Sequence, residues 1–178
     1  GIYREFTLPV GALVYVDSVE RDGYPEPYHI QSQGSQKRVY IGSKNKKVSV
    51  GVHTYTLRYT LKGFAQREDK DTHWRLNVTG SKWDFPIDEV NLVVHGPANL
   101  ASDEFKAEVH AFVRQEQFPL EASLSDPLSY RHERRMEKGE GVRIVMTLPE
   151  GEVALSVPSA FEQQLYATSL SFGGTGQI

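Results

Sequence analysis

The sequence contains no cysteine, which removes disulfides, thiolate metal sites and cysteine nucleophiles. The compartment stays open, because a chain without cysteine folds equally well in reducing and oxidising surroundings. No apolar run approaches the roughly 18 residues that span a bilayer, and the first residues show no charged stretch followed by an apolar one. Charge of one sign is missing too: 20 basic and 23 acidic residues are interleaved and leave a formal net charge of -3. That field is too weak to gather nucleic acid. The six histidines include no His-x-x-x-His pair, and there is no Gly-x-Ser-x-Gly elbow, internal repeat or low-complexity segment. What the chain does have is 39% hydrophobic residues in 178, enough for one full core or two small ones.

The dominant period is two. In HTYTLRYTL, residues His53, Tyr55, Leu57, Tyr59 and Leu61 fall on one side and Thr54, Thr56, Arg58 and Thr60 on the other, which predicts a half-buried strand with His53 as a satisfied core histidine. The same alternation groups Val90, Leu92 and Val94, then Val142, Ile144, Met146 and Leu148, then Val153, Leu155 and Val157, each run bounded by Gly or Pro. ALVYVDSV and KRVYIG add two strands, and Arg21-Asp22-Gly23-Tyr24-Pro25-Glu26-Pro27 between them has the chemistry of a turn. Closely spaced strands with turn chemistry between them predict an all-β protein, an immunoglobulin-like β-sandwich with room for two packed β subdomains.

Two segments carry mixed signals. SDEFKAEVHAFVRQ alternates as a strand through Phe105, Ala107, Val109, Ala111 and Val113, yet Phe105, Val109, Phe112 and Val113 also fit a helix behind a Ser102 cap; a strand is expected. After Pro158, Ser159 and Glu162 have capping-box spacing, and LYATSLSF then alternates like a strand; a helical turn leading into a strand is expected. The natural seam is Gly96-Pro97 to Ser102. It divides the chain into a β core over 1–96, a second β segment over 97–158 and a tail over 159–178.

Candidate chemistry is sparse. Asp69, Asp71 and His73 alternate as three ligands to one cation would, with Trp74 beside them. Lys70 interrupts the set and no distal bidentate glutamate follows, so neither metal nor cofactor is expected. Asn77-Val78-Thr79 matches the N-glycosylation acceptor, a pattern that recurs by chance. Asp88 with Glu89, and Glu150 with Glu152, are carboxylate pairs at turns, where solvation alone accounts for them. Lys44, Lys46 and Lys47 make a small basic loop with the chemistry for phosphate or lipid headgroups, but three lysines fall short of a polybasic signal, and a solvated loop or a protected edge is expected. Trp83, behind the turn at Gly80-Ser81-Lys82, is expected to be largely buried.

GIYREF at the start, RDGYPEPY at 21–28, YIG at 40–42, GVHTYTLRY at 51–59, NVTGSKWDFPI at 77–87 and GEGVRIVMTLPEG at 139–151 occur in an order that resembles one family. It is the predicted bacterial membrane proteins whose extracytoplasmic part is domain of unknown function 2207. The resemblance runs to about residue 155. It implies a secreted or periplasmic β domain, tethered to the cytoplasmic membrane in the full-length protein without inserting into the bilayer itself, in a family with no established catalytic residues. The expected role is a non-catalytic module, monomeric, binding a protein or an envelope ligand. The alternative is a hydrolase of envelope polymers with a metal-dependent site near Asp69, Asp71 and His73. Because such domains carry strands upstream of the GIYREF motif, the tail is expected to cover the edge left there, with Tyr166, Thr168, Leu170 and Phe172 turned inward.

Overall fold

The computed structural model describes residues 2–80, 82–95, 106–113, 116–120, 128–132, 134–148 and 155–171. They fold as antiparallel strands with one helix, the all-β class expected, and the chain divides into two compact units, 1–64 with 156–178, and 65–155. This division is drawn elsewhere than the 1–96, 97–158 and 159–178 division read from the sequence, whose seam at Gly96-Pro97 lies outside the described residues.

In the first unit, β1 (Ile2–Thr7), β2 (Leu13–Arg21), β3 (Tyr24–Pro25), β4 (Tyr28–Gln33), β5 (Gln36–Ile41) and β6 (Tyr55–Lys62) form two three-stranded sheets, ordered β1-β5-β4 and β3-β2-β6. Two-residue connections set the registers: Asp22-Gly23 joins the Arg21↔Tyr24 pair, and Gly34-Ser35 joins Gln33↔Gln36. Asp22, Gly23 and Gly34 all have positive φ, the backbone that tight hairpins require and that Asp and Gly tolerate. The expected turn over 21–27 is thus shorter than its prolines suggested, and Pro25 sits on an edge strand, where a missing N–H is harmless. The sheets meet through Phe6 of β1, whose ring lies 4.7 Å from that of Tyr59 of β6. Val14 of β2 and Val39 of β5 are both fully buried.

His53 departs from expectation. It precedes β6, is half-buried rather than core, and bonds at Nδ1 to the Asp22 carboxylate (2.8 Å) and at Nε2 to Ser49 O (2.9 Å). A polar ring finds both partners more cheaply in a loop than among Tyr and Leu side chains.

The tail corrects the sequence reading more sharply. LYATSLSF is not a strand: α1 spans Ala160–Ser171. Ser159 Oγ accepts the Glu162 amide at 3.1 Å, so the cap prevails over the alternation that follows it. Of the four residues expected inward, Tyr166 is buried, Leu170 is half-buried, Thr168 is exposed, and Phe172 lies outside the described residues. The spacing inward is that of a helix. Leu155 and Val157, expected in a strand, belong to a segment without regular structure that leads into the cap, and Val153 lies outside the described residues.

In the second unit, β7 (Gln66–Glu68), β8 (Asp71–Asn77), β9 (Val90–Val94), β10 (Lys106–Val113), β11 (Glu116–Leu120), β12 (Leu128–His132) and β13 (Gly141–Leu148) form a five-stranded sheet, β11-β10-β13-β8-β7, and a two-stranded sheet, β12-β9. The expected strand through Ala107 and Val113 is β10. Ser102, Phe105, Glu150 and Glu152 lie outside the described residues. β13 buries Val142, Ile144, Met146 and Leu148 on one face, and Leu92 and Val94 of β9 pack against that face. Val90, Tyr130 and Met136 complete a second cluster with Val142. Alternation in both strands puts the apolar set on a single side, so the two sheets are joined by the hydrophobic effect.

Candidate functional site

The residues singled out from the sequence do not form one site. Asp69 and Lys70 are the two-residue turn between β7 and β8, with Asp69 at positive φ; the aspartate is there for its backbone, and its side chain is exposed. Asp71 and His73 follow on one face of β8. His73 Nδ1 is hydrogen-bonded to the Thr147 hydroxyl at 3.2 Å, and its Nε2 stands 3.9 Å from the Glu68 carboxylate. Glu68 itself is held by Arg75 through two bonds, the Arg75 hydrogen bonds being the main cause that depresses its carboxyl. Trp74 lies on the opposite face, across from Met146, and packs on Ile144, Met146 and Leu148. A strand's alternation therefore separates Trp74 from Asp71 and His73. Among the described residues no three His, Asp or Glu side chains are grouped to hold a metal ion.

The Asn77-Val78-Thr79-Gly80 stretch is a structural turn. Asn77 Oδ1 accepts the Gly80 amide at 2.8 Å, Thr79 Oγ1 accepts the Val142 amide at 2.9 Å, and the Trp83 indole donates to Thr79 O at 2.6 Å. Gly141 abuts this turn: a Cβ built there would stand 2.3 Å from Gly80 O. Two sequence signatures sixty residues apart thus describe the two sides of one contact, about 60 residues being a loop whose closure a strong local contact must offset. Trp83 is mostly withdrawn from water, as expected, and stands at the rim of the core, where the chain passes Pro86 and the Ile87–Met136 bridge and the indole leans on Phe85.

The described residues include a concavity that left no sign in the sequence. In the first unit, the β4–β5 hairpin and α1 enclose a groove of about 660 Å³. Gln31, Ser32, Gln33 and Gln36 supply amides and a hydroxyl, while Ile30 and Leu170 supply apolar surface. Helix α1 is fixed beside it by Tyr166, whose hydroxyl donates to Val14 O at 2.9 Å and whose ring meets Tyr15 edge-on at 5.5 Å. Burial raises the Tyr166 phenol. Glu162 adds bonds from Lys62 (2.8 Å) and Tyr15 (3.0 Å), and these hold its carboxyl below the usual range. The charges within the groove are also committed. Arg38 donates to the Tyr40 hydroxyl at 3.1 Å and to Glu5 at 2.6 Å, bonds that in that order raise the guanidinium pKa, and Lys37 donates to Gly34 O at 2.8 Å with its ammonium pKa lowered by burial. A helix was needed to make this groove, and reading the tail as a strand hid it; the capping box at Ser159 was the signal that would have found it.

Among the described residues no helix is long and apolar enough to cross a membrane. No solved structure matches the chain. Among curated proteins, the uncharacterized protein YciQ of Escherichia coli (strain K12) is 28% identical over 102 residues, which is 57% of this chain and 16% of that protein. The chain therefore spans a small part of the relative's length. The model of the predicted membrane protein (DUF2207) N-terminal domain matches residues 1–150, the stretch in which the turn at Asn77–Gly80 and its Gly141 partner both fall, and the chain belongs to that family.

Proposed function

We propose that this chain is a non-catalytic, extracytoplasmic module of a membrane protein, and that it binds a neutral, hydroxyl-rich envelope ligand, of the saccharide class, in the groove between the β4–β5 hairpin and α1. The observation that carries the reading is the lining. Side-chain amides both donate and accept, as sugar hydroxyls do, and Ile30 and Leu170 offer apolar surface for ring carbons. Glu5 is the one carboxylate among the described lining residues, and it is engaged by Arg38. Glycoside hydrolysis by acid and base carboxylates needs a pair. Membership of a family of predicted membrane proteins supports the tether, and a β domain with no spanning helix among its described residues suits a position outside the bilayer.

The experiment is a titration of the chain with soluble envelope oligosaccharides, followed by amide chemical shifts. Shifts are expected on β4, β5 and α1, weakened about tenfold or more by Gln31→Ala with Gln33→Ala, since lost hydrogen bonds of ordinary strength sum to that much. Shifts confined to β7 and β8, or release of reducing ends abolished by His73→Ala, would replace this reading with the hydrolase.

A further inference from the structure

The connection from β5 to β6 holds two kinds of residue that rarely stand fully in water together. Lys44, Lys46 and Lys47 are exposed, and so are Val48, Val50 and Val52, the last two at 106% and 99% of full accessibility. No acidic residue occurs between Gly42 and Val52. The carboxylates nearest the ends of the segment are already engaged: Asp22 holds His53 at 2.8 Å and the Thr54 amide at 2.9 Å, and Glu26 holds Arg21 at 2.9 Å. The positive charge of the lysines is therefore not neutralised locally.

The loop is also shaped. A turn at its start is closed by the Lys46 amide on Ser43 O at 3.3 Å. Its end is closed by the His53 imidazole, which bonds to Ser49 O at 2.9 Å and to Asp22 across the base. Between those two anchors Val50, Gly51 and Val52 form the tip of a short pinned turn. Tyr24, also exposed, stands on the hairpin whose turn residue Asp22 grips His53. Two exposed β-branched residues at the tip of a fixed turn have no packing role in the unit, and burying them from water is favourable wherever an apolar phase is offered.

We propose that the 43–52 loop is a membrane-surface contact, in which Lys44, Lys46 and Lys47 bind anionic lipid headgroups while Val50 and Val52 dip into the headgroup and acyl boundary. Charge complementarity selects the occupant: a basic segment flanking apolar residues matches an anionic bilayer, whose surface attracts each lysine and whose interior receives the valines. A bilayer is at hand, because the family is one of predicted membrane proteins. The inference rests on that membership and not on the groove, so either can fail alone. It departs from the sequence reading of the lysines as a solvated loop. The contact would fix the orientation of the first unit on the bilayer, a job that a flexible tether does not perform.

The test is co-sedimentation of the chain with vesicles of phosphatidylglycerol and phosphatidylcholine against vesicles of phosphatidylcholine alone, with Val50→Trp as an emission probe. Binding is expected only to the anionic vesicles, with a blue shift of Trp emission and loss at high salt. Lys44→Gln, Lys46→Gln and Lys47→Gln together should weaken it about a hundredfold, each charge being worth roughly a factor of five. In the Val50→Trp background Val52→Asp should diminish the blue shift, and Val50→Asp with Val52→Asp should weaken sedimentation with the anionic vesicles; these variants and the lysine variant should keep wild-type melting, since these side chains touch little in the fold. Equal binding to neutral vesicles, indifference to the lysine changes, or self-association through the valines seen by light scattering without lipid would each overturn the proposal.

Discussion

The two units build the same kind of sheet by different means. In the first, two-residue turns join β2 to β3 and β4 to β5, and ion pairs such as Arg38–Glu5 and Arg58–Glu20 tie neighbouring strands together. Its core is completed from far along the chain by Tyr166 of α1. In the second, the central strand β13 pairs with β8 and β10 over long sequence separations, and the apolar residues sort into two clusters along it. Both units combine two-residue hairpins with long-range pairs, β1–β5 and β2–β6 in the first and β8–β13 and β10–β13 in the second; what differs is that the first leaves a loop and a groove on display, whereas the second sets the crowded Gly141 contact beside its buried central strand. The proposed contacts with ligand and lipid both fall in the first unit, and the closer of the two glycine contacts, Gly141 against the Gly80 carbonyl, falls in the second.

The largest expected effects test that contrast at two glycines. A Cβ at Gly141 would stand 2.3 Å from the backbone oxygen of Gly80, which hydrogen bonds to Thr79 and Asn77 hold in place. Gly141→Ala should therefore cost about 3 kcal/mol, the upper end of overpacking effects. Gly63 of the first unit has positive φ and would place its Cβ 2.7 Å from Cδ of Pro158. That approach is longer and meets a side-chain carbon rather than a backbone oxygen, so Gly63→Ala should cost less, about 1 to 2 kcal/mol. Urea unfolding of both variants ranks them; a reversed order would break the comparison.

Hydroxyl deletions sharpen it at a smaller scale. Thr79→Val removes the acceptor of the Val142 amide and should cost about 2 kcal/mol, because a buried N–H has no second option. Tyr166→Phe removes the donor to Val14 O, a carbonyl with a second lone pair, and should cost about 1 kcal/mol. Trp83→Ala should fall between them at about 1 to 2 kcal/mol, since the indole stands at the rim of the core and the full cost of removing a fully buried aromatic does not apply. A Trp83→Ala loss near 4 kcal/mol would show that the rim is core.

The same contrast explains what could be read from the sequence. β13 was legible because Val142, Ile144, Met146 and Leu148 alternate without exception and one buried face is all that such a pattern requires. In β8 the alternation of Asp71 and His73 was legible, but not which residues would converge, since Trp74 and His73 are neighbours in sequence and opposites in space. The tail was misread because Tyr166 and Leu170 satisfy both periods, and only the Ser159 cap, a property of backbone donors, decides between them. The groove was invisible for the same reason, as it exists only once α1 lies beside the hairpin. His53 was misplaced because the alternation that it continues ends at Tyr55, and a partner 31 residues earlier leaves no trace in the local pattern.

The smallest predicted effect is also the most specific, because the two units hold histidines perturbed in opposite directions. His53 is raised above its ordinary value, first by the hydrogen bond to Asp22 and then by the one to Ser49 O. The charged ring is the favoured form in the fold, so its contribution is fully present below the unfolded value of about 6.5 and is lost as pH rises through the higher folded value. His132 of β12 is lowered, first by burial and then by Arg134, against a smaller opposing effect of Glu140. Its Nδ1 lies 2.7 Å from the Tyr130 hydroxyl, which is the donor to the neutral ring, and its Nε2 has no hydrogen-bond partner among the described residues. Neutral His132 is therefore the favoured form, and its contribution is present above about 6.5 and lost as pH falls toward the lower folded value. Proton titration of the ring resonances should place His53 above that value and His132 below it. Stability measured across the same range should rise on the acid side when His132→Phe removes the penalty, and fall there when His53→Gln removes the clamp. If both rings titrate together near the ordinary value, neither the pinned loop of the first unit nor the buried pair of the second is as tightly held as its geometry requires.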